Sequence, residues 1–292
     1  MNKLNIDLRT YLQQNHNQLT WKEKIQIITD ITFALEKIHY ENAIHRDLHS
    51  GNILYNLGNA FRISDLGFCG PADKPLKSIY GNLPYIAPEV IVGREQTFKS
   101  DIYSIAMLMW EISSGQPPFI GYEHDYDLAM NIVNGIRPKI VPETPLEYKN
   151  LMKQCWDADP SKRPDVYTLN YKLGEINLLY QSKSNESLIQ PKENNNFEIE
   201  NYTGSSKLFT SKLHQFDNLP EPRNAIEDIQ NNYKIEAMQQ QTMNCHIKDN
   251  DDDEAHNNPN LHSEEQDELE LPDKIQTIVK IIQNEVLPPE CK

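Results

Sequence analysis

Apolar residues recur at helical spacing through roughly the first 180 positions and then thin out. Leu4, Leu8, Tyr11 and Leu12 share one face of a predicted short helix over 4–14. Thr20-Trp21-Lys22-Glu23 has the form of a capping box, in which the Thr accepts a backbone N–H and the Glu reaches back. The long helix it opens buries Ile28, Ile31, Leu35 and Ile38 on one face. A polar stretch, His45 to Asn52, interrupts the pattern. Ile53-Leu54-Tyr55 and Phe61-Arg62-Ile63 read as two short strands joined by a turn at 56–59. Residues 65–99 are rich in loop signals. Asp101 to Ser113 is apolar nearly all round, as a helix at the centre of a helical core would be. Amphipathic helices fit 125–134, 146–155 and 165–180, and no internal repeat is visible.

Composition changes near Ser182, and a domain boundary is placed there. Residues 1–180 carry 18 Lys+Arg against 21 Asp+Glu, whereas 181–292 carry 10 against 22, so the second segment holds most of the net charge of −15. The polar runs Glu193–Asn196, Met238–Gln241 and Asp249–Glu254 lie in it. Too little apolar surface is available there to offset chain entropy, which predicts a disordered acidic linker over 182–271. A last amphipathic helix is predicted at 272–287, with Pro272 and Asp273 at its start. Ile275, Ile278, Val279, Ile282 and Val286 form one stripe along it. An acidic chain is a poor ligand for nucleic-acid phosphates. Cys69, Cys155, Cys245 and Cys291 are far apart and show no C-x-x-C spacing, which speaks against a zinc site. No signal-peptide pattern opens the chain, and no apolar run approaches the roughly 18 residues of a membrane span. A soluble cytoplasmic protein with no membrane or nucleic-acid partner is the expectation.

The polar stretch carries the chemistry. His45-Arg46-Asp47 is followed by Asn52, then by Asp65-Leu66-Gly67, Ala87-Pro88-Glu89, Asp101 at the head of the apolar helix, and Arg163 before Pro164. Each motif alone is weak, but their joint order resembles the catalytic half of the eukaryotic protein kinases. The resemblance covers about residues 4–180. Gln116-Pro117-Pro118-Phe119 and Cys155-Trp156-Asp157 are similar to the tyrosine-kinase-like group in particular. The fold implied is mainly α: a protein-kinase C-terminal lobe over 1–181 with a short β pair at the catalytic loop, followed by the acidic tail.

Family roles then fall on individual residues. The resemblance implies that Asp47 orients the substrate hydroxyl and accepts its proton, and that Asn52 and Asp65 ligate Mg²⁺ against the phosphates of ATP. Leu54 would lie under the adenine. Arg46 would meet a phosphate or carboxylate in the loop 68–86, or brace the loop backbone. His45 and Asp101 would hold the catalytic loop, and Glu89 and Arg163 would form a buried ion pair. Ser78 and Tyr80 are candidate phosphosites in the loop before Glu89.

This chain departs from the family pattern in four places. Leu66 stands where many kinases have Phe, at a position that needs only an apolar plug. His49 replaces the Lys that Ser/Thr kinases place two residues after the catalytic Asp, and imidazole is charged only below about pH 6.5. Asn82 follows Gly81 where Thr is usual. A His49–Asn82 hydrogen bond is one way the two changes could compensate. Finally, the first Gly is Gly51, so the 50 residues before it hold no Gly-rich loop. Lys3, Lys22, Lys24 and Lys37 lie outside any V-A-I-K strand. With that half of the nucleotide pocket missing from the sequence, weak or absent binding of Mg²⁺–ATP is expected.

Two readings therefore stand. One is a Ser/Thr-directed protein kinase of the tyrosine-kinase-like group acting on protein substrates; Tyr85 before Ala87-Pro88-Glu89 favours Ser/Thr over Tyr acceptors. The other is a non-catalytic, pseudokinase-like scaffold in which the lobe and tail dock partners.

Overall fold

A computed structural model gives the structure of the chain and describes residues 6–55, 60–71, 79–182 and 210–225. It divides the chain into two units, Met1–Asn224 and Ala225–Lys292. Of the second unit only Ala225 is among the described residues, so the helix expected at 272–287 lies outside them.

The first unit opens with β1 (Ile6–Asp7) and α1 (Leu8–Asn15). The pattern predicts a single helix over 4–14, but Asp7 divides it. Its carboxylate accepts the Thr10 N–H at 2.9 Å. That caps α1 and leaves the extended residues before it able to join a sheet. The capping box of Thr20 and Glu23 is present and starts α2 (Trp21–Tyr40). Ile28, Ile31, Leu35 and Ile38 on this helix are wholly buried.

After β2 (Ala43–Ile44) and the polar loop come β3 (Ile53–Tyr55) and β4 (Phe61–Ile63). These form the expected hairpin, with Ile53 opposite Ile63. β1 adds on the other side of β3, making three strands in the order β1-β3-β4. β5 (Gly70–Pro71) pairs with β2, and β6 (Ile79–Gly81) follows.

The rest of the unit is helical: α3 (Pro88–Ile91), α4 (Phe98–Ser114), α5 (Tyr126–Val133), α6 (Leu146–Cys155) and α7 (Val166–Ser182). α4 is the centre of the core. Ile102, Tyr103, Ile105, Ala106, Met107, Leu108, Met109 and Ile112 have no exposed surface. Each face of such a helix meets another element, so the polar groups it carries, at Asp101, Ser104 and Glu111, are hydrogen-bonded within the fold. α4 starts earlier than the apolar run because Thr97 and Ser100 form a second capping box. It ends at Gly115, whose φ of 75° suits glycine, and a Cβ there would lie 2.4 Å from the His16 ring. α7 lies along α2, where the Asn170 amide donates to Thr32 O at 3.1 Å.

The expectation of disorder throughout 182–271 gives way at 210–225. There β7 (Lys212–His214) pairs antiparallel with β6, placing Lys212 opposite Gly81. Composition weighs only the apolar surface that a segment carries itself. It does not count an open strand edge supplied by another part of the chain. Among the described residues, no helix is long and apolar enough to cross a membrane.

Candidate active site

The loop between β2 and β3 is shaped by buried hydrogen bonds. Asp101, in the first turn of α4, accepts the His45 N–H at 2.8 Å and the Arg46 N–H at 3.0 Å, and takes a third contact from His39 Nε2 at 2.9 Å. Arg46 adopts φ 74°, a left-handed conformation that a non-glycine residue holds only when its neighbours enforce it. The two bonds to Asp101 do so. Burial pushes the Asp101 carboxyl up, but His39, His45 and the backbone donors outweigh it and hold the pKa below the ordinary value. His45 is wholly buried. Its Nε2 faces Ser64 O at 3.1 Å and its Nδ1 accepts the Asp47 N–H at 3.3 Å, so the N–H tautomer lies on Nε2. Burial, foremost, lowers its pKa.

Asp47 is therefore held by its backbone on both sides. Asn52 adds a side-chain clamp: its amide nitrogen donates to Asp47 O at 2.9 Å and to Asp47 Oδ2 at 3.4 Å. Burial raises the Asp47 pKa, yet His49, the Ser211 hydroxyl and His45 together hold it below the usual carboxylate range. The group is thus ionised at neutral pH. A Cβ on Gly81 would lie 3.3 Å from Asp47 Oδ1, so the end of β6 runs directly beside the carboxylate.

His49 caps the short turn Ser50–Asn52, its Nδ1 accepting the Gly51 N–H at 3.1 Å. Its Nε2 lies 3.8 Å from Asp47 Oδ2 and 3.2 Å from Ser211 Oγ. Both ring nitrogens are so engaged, Nδ1 with Gly51 and Nε2 with Ser211. Ser211 also donates to Asp47 Oδ1 at 2.8 Å. Beneath the turn, the Tyr85 hydroxyl donates to Glu111 Oε2 at 2.6 Å and stands 3.3 Å from Ser50 Oγ. Burial keeps both the Tyr85 and Glu111 pKa values raised.

The hairpin brings the two expected metal ligands to one end. Ile53 opposes Ile63, and the Ser64 N–H donates to Asn52 O at 2.8 Å, so Asp65 follows directly from the position facing Asn52. Asp65 has φ 55° and ψ 66°; its side chain is exposed and caps no helix. The Asn52 amide N–H groups face Asp47, which leaves its oxygen for a cation. These two oxygens fit a hard ion that draws its other ligands from phosphate and water. No cluster of three or more His, Cys, Asp or Glu suited to a metal occurs among the described residues.

The remaining residues fall into place around this centre. Leu54 is half-buried on β3, opposite Asp7 and Arg62. Arg46 reaches the start of the following segment, with Nη1 3.5 Å from Phe68 O and its guanidinium packed over Gly70. Glu89 and Arg163 form a bidentate pair with both N–O distances 2.7 Å, fully buried. Arg163 also donates to Lys99 O and Asp157 O, at 2.9 and 2.8 Å. Tyr80 is half-buried in β6, its ring stacked on Phe68 at 3.9 Å. Ser78 lies outside the described residues. Burial pushes the Cys69 and Cys155 thiols up to about 12, which makes them packing groups.

Ser211 and His39 were not found in the sequence. His39 stands outside every motif, at the end of α2. Ser211 lies in a segment whose composition reads as solvated, and nothing local marks it.

A family model described as protein tyrosine and serine/threonine kinase matches residues 4–173. The chain belongs to that family. It is 34% identical to the dual specificity protein kinase zakA of Dictyostelium discoideum over 210 residues, which are 65% of this chain and 27% of that one. It is 33% identical to a human dual serine/threonine and tyrosine protein kinase over 191 residues, 64% of this chain and 20% of that one. A putative serine/threonine-protein kinase/receptor of Acanthamoeba polyphaga mimivirus, R818, is 34% identical over 149 residues, 50% of this chain and 9% of that one. The chain spans less than a third of the length of these relatives.

Proposed function

We propose that this chain performs the acceptor half of phosphoryl transfer to Ser and Thr hydroxyls of proteins, with Asp47 as the base. The observation that carries the reading is the unit made by Asp47 and Asn52. The Asn52 amide nitrogen donates to the Asp47 backbone carbonyl and, at longer range, to its carboxylate, so an expected base and an expected cation ligand are held as one piece. Little covalent work falls to the protein in this reaction, so positioning is most of what it supplies.

Asp47 orients the incoming hydroxyl and takes its proton at the carboxylate. His49, beside the acceptor position, hydrogen-bonds the same hydroxyl. Asn52 and Asp65 are the residues that would hold Mg²⁺, which when bound neutralises charge on the phosphates of ATP. Leu54 on β3 is assigned to the adenine. Asp101, His45 and Arg46 keep the loop in shape, and the Glu89–Arg163 pair locks the segment that ends at α3. One of the relatives is named a dual serine/threonine and tyrosine protein kinase, and another a dual specificity protein kinase. The Ser/Thr assignment here rests on Tyr85 and on the fit of a Ser hydroxyl between Asp47 and His49.

The test is transfer to protein and peptide acceptors offering Ser, Thr or Tyr, at Mg²⁺–ATP concentrations raised to offset the weak nucleotide binding expected. Asp47→Asn is expected to lower transfer by roughly 10²–10⁴-fold, the usual weight of a general base, while melting stays unchanged. Labelling of Tyr acceptors alone would remove the Ser/Thr assignment. Full activity in the Asn variant would remove Asp47 as base. A chain that transfers nothing would leave the docking-scaffold reading in place of the enzyme.

A further inference from the structure

We propose that residues Thr210–Asn224 fill the acceptor groove of their own lobe, and that Ser211, held against Asp47 and His49 by the β6–β7 pairing, is a phosphorylation site. The inference rests on the kinase reading above and goes beyond it.

Register is the first argument. β7 adds to the free edge of β6 with Gly81 opposite Lys212, and Gly81 runs beside the Asp47 carboxylate. The residue just before the pairing, Ser211, is thereby delivered onto Asp47. Its hydroxyl donates at 2.8 Å to one carboxylate oxygen and lies 3.2 Å from His49 Nε2. Strand addition to an exposed edge is a common mode of peptide recognition, with the backbone setting register and side chains setting specificity.

Anchoring is the second argument. His214 is buried, its Nε2 contacts Gly81 O at 3.0 Å, and its ring stacks on Phe216 at 5.5 Å. Phe216 meets Tyr126 of α5 at 6.4 Å. Glu221 pairs with Arg94, and the Arg223 N–H donates to Val133 O at 3.0 Å. The Asn224 side chain accepts the Ala158 N–H at 2.9 Å and donates to Asp157 at 3.0 Å. The segment is tied down from the acceptor position to the far end of α5.

The third argument is the residue itself. A segment that only blocked the groove would need no hydroxyl at this position. In the proposed step, Ser211 Oγ attacks the γ-phosphorus of ATP. An O–P bond forms, the bond from the γ-phosphorus to the β–γ bridging oxygen breaks, ADP leaves, and the hydroxyl proton passes to Asp47. The product is a nearly dianionic phosphate beside the Asp47 carboxylate, and like-charge repulsion at that distance disfavours the docked strand. The groove would thus be closed until Ser211 is modified and opened by its modification.

The experiment uses the full chain and casein in the same reaction, with Mg²⁺–ATP raised until labelling no longer increases, so that weak binding of the nucleotide does not limit transfer. Ser211 is followed by tandem mass spectrometry and the backbone by amide exchange. Phosphate is expected on Ser211 with a rate constant unchanged over about a hundredfold dilution, as an intramolecular step requires. Asp47→Asn should abolish it. Ser211→Ala should slow casein labelling, because the block is no longer released, and His214→Ala should speed it. Amides 212–214 should be protected, and lose about tenfold protection in Ser211→Asp. Casein labelled with Ser211 unmodified overturns this inference and spares the kinase reading. A rate that falls with dilution overturns the action in cis. Failure to label either acceptor removes both readings. Amides 212–214 exchanging as in a free peptide overturn the docking whatever the chemistry does.

Discussion

At the scale of single residues, the site is built by donors that arrive from far along the chain. Asp101 is the clearest case, since its two backbone hydrogen bonds hold Arg46 in a conformation it would not choose alone. Glu89 and Arg163 make the same point in energetic terms. Both are buried and bidentate, and Arg163 is further satisfied by two carbonyls. A buried pair of this kind contributes little beyond a well-packed apolar pair, but breaking it strands a charge. Arg163→Met is therefore expected to cost about 3–5 kcal/mol, because it leaves the Glu89 carboxylate unpaired in the interior. Glu89→Gln combined with Arg163→Met should recover part of that loss. Urea titration of the two variants measures it, and equal stability in single and double variants would count against the pairing as the source.

At the scale of elements, β6 joins residues 212–214 to the lobe. Its edge takes β7, and its end approaches Asp47. His214 couples that pairing to pH. Burial, foremost, lowers its pKa when docked, with Lys212 acting in the same direction and the Gly81 carbonyl opposing. A released His214 titrates near 6.5. The undocked strand therefore binds the proton more readily. Docking is at full strength above about pH 6.5 and weakens as pH falls through the interval between that value and the lower docked one. Protection factors of amides 212–214, corrected for intrinsic exchange, should fall on acidification below that point. His214→Phe should remove the dependence while keeping the ring stack with Phe216. Protection independent of pH in the wild type would show that His214 is not the sensor.

At the scale of the whole molecule, one helical core supports the site, with α4 at its centre. Ile105 has no exposed surface. Ile105→Ala should cost about 2–5 kcal/mol through lost burial and the cavity left behind. For a lobe of this size that corresponds to a fall in melting temperature on the order of 10 °C. Catalytic-loop geometry should go with it, since Asp101 rides on the same helix. A calorimetric scan in which the variant melts like the wild type would mean that the core has collapsed around the smaller side chain.

Most of this lobe was legible in the sequence because its signals are local. The capping box at Thr20, the apolar run of α4 and the order of Asp47, Asn52, Asp65, Glu89 and Arg163 depend on neighbours or on spacing. Side-chain periodicity marks a helix wherever no other element competes for its residues. What sequence alone did not show is contact at long range. Asp7 divides the first helix because β3 offers its residues a partner. His39 joins Asp101 across 62 positions, and Ser211 joins Asp47 across 164. A segment's composition states only what it can bury by itself, so 210–225 read as a solvated tail. The open edge of β6 and the carbonyls at the end of α5 made it part of the site, and those exist only once the lobe has folded.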